Sequence, residues 1–169
     1  MKLTSVQREN IEKVYGASKI NDVAANQQSQ DAHDVFSSLL ASLALTPGDA
    51  PYVEVTFGAS QYGGEIPTVR FDGITESSLV TYSAPMSRDA NTQPAEIEVR
   101  RLTNVETWRV DTRHAIYDLS HDQDSQVNDM RIAVQFLDGS NYILSDSPAR
   151  QNERVGHLIA ALASRLASR

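Results

Sequence analysis

The chain has 169 residues, 40% of them hydrophobic, which is enough for one domain, or one domain with a small appendage, that folds without a metal or disulfide staple. It contains no cysteine, which excludes thiol catalysis, thiolate metal sites and disulfide bonds. Its 15 basic and 22 acidic residues give a net charge of −7, which disfavours nucleic acid or an anionic membrane as a partner.

The sequence shows no targeting or membrane-spanning segment. No apolar run follows the Met1-Lys2 start, so no secretory signal is visible. No stretch approaches the roughly 18 apolar residues of a transmembrane helix. We therefore expect a cytoplasmic protein without a membrane partner, unless the chain is a trimmed mature form.

Residues 1–46 are predicted to be a helical N-terminal segment. Apolar residues recur at helical spacing from about 4 to 15, and Gly16 is placed to end this first helix. A second helix is predicted over 30–45 and ends at Thr46-Pro47-Gly48. Its apolar positions are Val35, Phe36, Leu39, Leu40 and Leu43. This apolar face of the second helix must be shielded from water. It either packs on the outside of the sheet or packs against the same helix of a second copy, so a homo-oligomer is one of the expected states.

From Pro51 onward the sequence pattern is typical of short β-strands. Alternation of apolar and polar residues predicts strands at Tyr52–Phe57, Val69–Phe71, Ser78–Tyr82, Ile97–Val99, Val105–Val110 and Ala115–Leu119. Turns are predicted at Asp72-Gly73 and at Asp111–Arg113, with a bulge or bend at Arg100–Asn104.

Three local signals agree at the C-terminal end of the chain. Met130–Leu137 alternates like a strand, Asp138–Asn141 has turn residues, and Tyr142–Leu144 is a second short strand. Ser147-Pro148 then opens a helix. Its apolar positions are Val155, Leu158, Ile159, Leu162 and Leu166. The sequence thus predicts a β-hairpin followed by an amphipathic helix.

Together these elements predict an α+β fold. The helical segment 1–46 precedes a second part, 51–169, in which seven or eight strands are followed by one helix. Short antiparallel strands in this order favour a strongly bent antiparallel sheet or a partly open barrel. The terminal helix would plug its open end.

Three stretches carry a resemblance to a known superfold. They are Ile97–Val105, Ile132–Ser140 and the helix from Pro148 to Leu166. Their order resembles the pleckstrin-homology-like (PH-like) superfold, especially its small bacterial versions, in which a seven-stranded bent sheet is capped by one C-terminal helix. The resemblance covers about residues 50–169 and implies protein or peptide recognition. Phosphoinositide-binding members carry a basic motif around their first two strands, and Tyr52–Phe71 offers only Arg70, which disfavours that ligand.

No set of residues has the spacing of a catalytic, metal or phosphate site. Gly58–Gly64 is rich in glycine but matches no phosphate-binding motif, so a hairpin loop is expected. The acids between Asp118 and Asp129 follow calcium-loop spacing, but Gln123 stands where that loop requires glycine. We therefore expect no metal and no cofactor, and lean against an enzyme. An enzyme of unrecognised type would first be sought at His114, His121 and Asp122.

The leading functional hypothesis is a non-enzymatic protein–protein interaction module. Its candidate partner-binding residues are Arg100, Arg101, Arg109 and Arg113, which could form a small basic patch for an acidic peptide. Ordinary surface ion pairs are the default use of these arginines in a chain with an excess of acids. Two further hypotheses stay open, namely a small-ligand or lipid-binding barrel and a structural or assembly subunit that forms a homo-oligomer.

Overall fold

A computed structural model describes residues 2–20, 41–43, 50–60, 68–85, 96–115, 127–145 and 153–169. The contacts divide the chain into an N-terminal unit, Met1–Arg101, and a C-terminal unit, Leu102–Arg169. The N-terminal unit contains helix α1 (Ser5–Ile20) and strands β1 (Glu54–Ser60), β2 (Thr68–Ile74), β3 (Ser78–Pro85) and β4 (Glu96–Arg101). The C-terminal unit contains a short 3-10 helix (Leu102–Asn104), strands β5 (Val105–Ala115), β6 (Val127–Phe136) and β7 (Asn141–Ser145), and helix α2 (Glu153–Ala167).

The α+β class is confirmed, because helices accompany two antiparallel sheets. The first sheet has the strand order β1-β2-β3-β4 and the second has the order β5-β6-β7. Neither sheet closes on itself in the described part of the chain. The predicted boundary between 1–46 and 51–169 stays a prediction. The structure separately divides the chain between Arg101 and Leu102, a division that the sequence did not predict. None of the described helices is both long and apolar enough to cross a membrane.

Helix α1 is longer than predicted. It continues past Gly16 to Ile20, so the assignment of Gly16 as its end is wrong. Val14 and Ala17 lie one turn apart on the same face, and both are buried in the core of the N-terminal unit with Phe57. Because packing of Ala17 favours the helical backbone there, the weak helix propensity of Gly16 does not end the helix.

Polar side chains of α1 hold the segment that leads into β1. The buried Asn10 side chain accepts a hydrogen bond from the Tyr52 backbone N–H at 2.9 Å and donates one to the Ala50 carbonyl at 3.2 Å. Lys13 Nζ donates to the Tyr52 carbonyl. The Tyr52 hydroxyl donates to the Leu43 carbonyl at 2.7 Å, and burial raises the pKa of this phenol above its ordinary value. Helix α1 is thus part of the core.

The predicted second helix lies mostly outside the described residues. Residues 41–43 are helical, and Leu43 is fully buried in the same core as α1. The predicted self-association through 30–45 therefore stays a prediction. The same holds for the helix start at Ser147-Pro148 and for most of the acidic loop before Asp129, neither of which is described.

The turn predicted at Asp72-Gly73 is wrong, because both residues lie inside β2. The chain turns three residues later, where Thr75 Oγ1 accepts hydrogen bonds from the backbone N–H groups of Ser77 and Ser78. The Thr75 backbone N–H also donates to the Ser78 carbonyl at 2.9 Å. A polar residue before a glycine indicated a turn, but Asp72 instead pairs with Arg70 and Gly73 lies against aromatic rings of the core.

Gly73 makes room for aromatic rings in the core. Phe71 packs edge-on against Tyr52, with ring centroids 5.5 Å apart, and against Phe57 at 6.3 Å. A Cβ atom on Gly73 would lie 2.8 Å from Phe71 Cζ and 2.9 Å from Tyr52 Cε1. Residue 73 is therefore glycine because the rings approach its backbone closely, not because the chain reverses there.

Strand β5 runs straight through the turn predicted at Asp111–Arg113, so that prediction is wrong. Its pairing with β6 continues from Val110 opposite Ile132 to Ala115 opposite Val127. A long partner strand keeps the backbone hydrogen bonds satisfied, which overrides the local turn signal. The bend predicted at Arg100–Asn104 is confirmed by the 3-10 helix that separates β4 from β5.

The C-terminal hairpin and helix are confirmed. Strands β6 and β7 join through a turn in which Gly139 has a φ of 81° and the Asp138 side chain accepts from the Ser140 backbone N–H at 2.8 Å. Helix α2 packs against β6 and β7. All five apolar residues predicted to face the core are buried, namely Val155, Leu158, Ile159, Leu162 and Leu166.

Candidate protein-binding surface

The four candidate arginines divide between the two units. Arg100 and Arg101 end β4 in the N-terminal unit, whereas Arg109 and Arg113 lie in β5 of the C-terminal unit. Within each unit the members of a pair are close in sequence. The prediction that all four form one basic patch stays a prediction.

Two of these arginines make ion pairs with acids on their own strand. Arg100 Nε and Nη2 donate to the two carboxylate oxygens of Glu98 at 2.6 and 2.5 Å, a bidentate arrangement. Arg109 Nε lies 3.5 Å from a carboxylate oxygen of Asp111. Each acid is two residues from its arginine, so the side chains share a sheet face. The expectation of ordinary surface ion pairing is confirmed for Arg100 and Arg109.

Arg70, the one basic residue in the stretch Tyr52–Phe71, is also engaged. Its Nε and Nη2 donate to the two carboxylate oxygens of Asp72 at 2.7 and 3.0 Å. Asp72 is almost fully buried, with Thr56 and Thr81 as its cross-strand neighbours. Arg70 therefore neutralises a buried acid, and a ligand phosphate would have to compete with that carboxylate.

Strand β4 is the edge of the first sheet, since it pairs only with β3 among the described strands. Its Ile97 and Val99 lie opposite Tyr82 and Val80, both of which are buried. Ile97 itself is 36% exposed and Val99 is 48% exposed. The apolar face of the sheet thus continues from its core to an exposed edge.

The opposite face of β4 is charged. Glu98 and Arg100 project there beside Thr81 and Leu79 of β3. The Glu98 side chain is 51% exposed and the Arg100 side chain 17% exposed. An edge strand with exposed apolar residues on one face and an ion pair on the other can bind an extended segment through main-chain hydrogen bonds, with side chains selecting the partner.

The described residues contain few groups that indicate a chemical reaction. No group of three or more histidine, aspartate or glutamate side chains in the described ranges could hold a metal ion. Burial raises the pKa of the Tyr52 and Tyr82 hydroxyls, which stabilises their neutral forms. The Tyr52 hydroxyl donates a hydrogen bond to a main-chain carbonyl, which is a structural role. Of the residues named first for an enzyme, His114 lies in β5, and His121 and Asp122 fall outside the described residues.

Sequence inspection identified β4 as a strand but missed its position at an edge. The available signal was the alternation Glu96-Ile97-Glu98-Val99-Arg100, in which charges share one face and apolar residues the other. That pattern does not state which strands are neighbours. Comparisons with models of protein families, with curated proteins and with solved structures find no match for this chain.

Proposed function

We propose that this chain is a non-enzymatic protein-interaction module that binds an extended segment of another polypeptide chain along β4. The observation that carries the proposal is the exposed edge of β4, where Ile97 and Val99 continue the apolar face of the sheet. Such an edge presents main-chain donors and acceptors together with side chains that favour strand addition. A cytoplasmic location belongs to the same proposal.

A PH-like arrangement of the strands and α2 is also part of the proposal. It is supported by the order of the described elements, in which four antiparallel strands are followed by three more and then by one helix. Protein and peptide recognition is the role that this resemblance implies. Because Arg70 is already bound to Asp72, a phosphoinositide headgroup is a poorer ligand than a protein segment.

The substitution Val99→Lys tests the proposal at the more exposed of the two apolar residues Ile97 and Val99 of β4. A lysine there would place a charge in the interface, so we expect partner affinity to fall by at least about tenfold. The measurement is affinity capture from native extract followed by titration of the captured partner.

Ile143→Lys is the matched control. Ile143 is a β-branched residue on β7, at the edge of the other sheet. Its exposed fraction of 45% is similar to the 48% of Val99. We expect this variant to bind the partner as the parent protein does. Equal binding by Val99→Lys and the parent protein would rule out β4 as the binding strand.

A further inference from the structure

The charges of β4 are arranged so that the strand is complementary to itself. Its sequence, Glu96-Ile97-Glu98-Val99-Arg100-Arg101, carries acids in the first half and bases in the second. Two copies that pair antiparallel run in opposite directions, so the acidic half of each meets the basic half of the other. Opposite charges placed directly across two strands stabilise their pairing.

Symmetry restricts the possible registers. A two-fold axis perpendicular to the sheet keeps the same face of both copies on the same side, so one residue of β4 must lie opposite itself in the second copy. With Val99 at the axis, Glu98 lies opposite Arg100 of the second copy, and Arg100 lies opposite its Glu98. Both charge pairs are then favourable, and two apolar side chains meet at the centre.

Each neighbouring symmetric register places at least one pair of like charges directly opposite each other. An axis at Glu98 places two glutamates directly opposite each other, although Glu96 then lies opposite Arg100 of the second copy. An axis at Arg100 places two arginines directly opposite each other. An axis at Ile97 places Glu96 opposite Glu98 of the second copy. Like charges directly opposite destabilise a strand pair, so the register centred on Val99 is preferred.

Charges on an edge strand often protect it against pairing with another sheet. Protection of that kind works by repulsion, as a row of one sign repels a second copy of itself. In β4 the first half of the strand is instead acidic and the second half is basic, an order that attracts an antiparallel second copy. The exposed Val99, at the point where the two copies would cross, adds an apolar contact.

We propose that two copies of this chain pair antiparallel through β4, with Val99 on the two-fold axis, and so join their four-stranded sheets. The inference rests on the proposed function, since it names the partner that binds the β4 edge. One strand of six residues gives a small interface, so the dimer is weak and forms in a concentration-dependent way. Salt weakens it, because the Glu98 member of each charge pair is 51% exposed.

The test compares two single charge reversals, Glu98→Arg and Arg100→Glu, by sedimentation equilibrium over a concentration series. The monomer mass is 18.6 kDa, and a dimer has twice that mass. Each variant alone places like charges across the axis at both pairs. We expect its dimerisation to weaken by at least about tenfold relative to the parent protein.

An equimolar mixture of the two variants provides the decisive arm. In the mixed dimer, two arginines of one chain face two glutamates of the other, so both cross-strand pairs are favourable again. We expect the mixture to dimerise about as strongly as the parent protein. The Glu98–Arg100 pair within each strand is broken in both variants, so its loss cannot account for a recovery on mixing.

Thermal unfolding shows whether each variant is folded. A variant that does not fold is replaced by Val99→Lys, which places two lysines opposite each other at the axis. A parent protein that is monomeric at every concentration overturns the proposal, as does a mixture that stays as weak as its components. A dimer that all variants leave intact also overturns it. The parent protein could fail to self-pair and yet capture a different protein from native extract. If Val99→Lys no longer captures that protein, the β4 edge keeps its proposed function. If Val99→Lys binds everything that the parent protein binds, both proposals fail.

Discussion

Replacement of Leu162 by alanine is expected to lower the free energy of unfolding of the C-terminal unit by about 2–5 kcal/mol. Leu162 is fully buried on the face of α2 that packs against β6 and β7. The smaller side chain leaves a cavity that the sheet can fill only in part. Urea unfolding followed by the fluorescence of Trp108 measures the change, because this sole tryptophan lies in β5, opposite the buried Val134.

Ser164→Ala is the control for this substitution. Ser164 lies two residues further along α2 and is exposed, so its replacement removes no buried contact. We expect the free energy of unfolding to change by less than about 0.5 kcal/mol. Equal stability of Leu162→Ala and the parent protein would contradict the packing of α2 on the second sheet.

Replacement of Gly73 by alanine is expected to destabilise the N-terminal unit by about 1–3 kcal/mol. The new methyl group would stand within 3 Å of the rings of Phe71 and Tyr52. Tyr52 has little freedom to move away, because its backbone and hydroxyl are hydrogen-bonded to Asn10, Lys13 and Leu43. The measurement is the midpoint of urea unfolding, followed by far-ultraviolet circular dichroism.

Gly58→Ala serves as the matched control for Gly73→Ala. Gly58 lies in the adjacent strand β1, and a Cβ atom there would meet nothing within 4 Å. Alanine restricts the unfolded chain more than glycine does, so we expect Gly58→Ala to be neutral or to stabilise by up to about 1 kcal/mol. If both variants unfold at the same urea concentration, the close approach of the rings to residue 73 is not what selects glycine there.

The sequence predicted the elements whose signals are local. Asp138 and Gly139 indicated the β6–β7 turn, and the residues that make it are those two and their neighbours. The apolar spacing of α2 likewise predicted its buried face, because helical periodicity depends on the helix alone. These predictions required no knowledge of distant parts of the chain.

The sequence failed where a distant contact decides the local structure. Gly16 does not end α1, because Ala17 packs in a core built from strands far along the chain. Gly73 indicated a turn, but its role is to admit the rings of Tyr52 and Phe71. The signal at Asp111–Arg113 was overridden by pairing with β6. In each case a tertiary contact outweighed a local preference, which for glycine inside a helix is about 1 kcal/mol.

The candidate site was predictable in part. Sequence reasoning selected Arg100 and favoured ion pairs as the ordinary use of such arginines, and its pair with Glu98 agrees. It did not identify Ile97 and Val99 as exposed, because exposure there follows from the position of β4 at the end of the strand order. Strand order is a property of the whole sheet, and no local pattern encodes it.

Hydrogen–deuterium exchange of β4 tests most directly whether this strand binds another chain. The exchange of amides 96–101 would be compared between the dilute protein and the complex purified from native extract, with amides 141–145 of β7 as the internal reference. Amides that gain a strand partner exchange more slowly. Slower exchange in β4 with no change in β7 is the predicted result. Unchanged exchange in β4, with slowing at another element, would contradict the proposal.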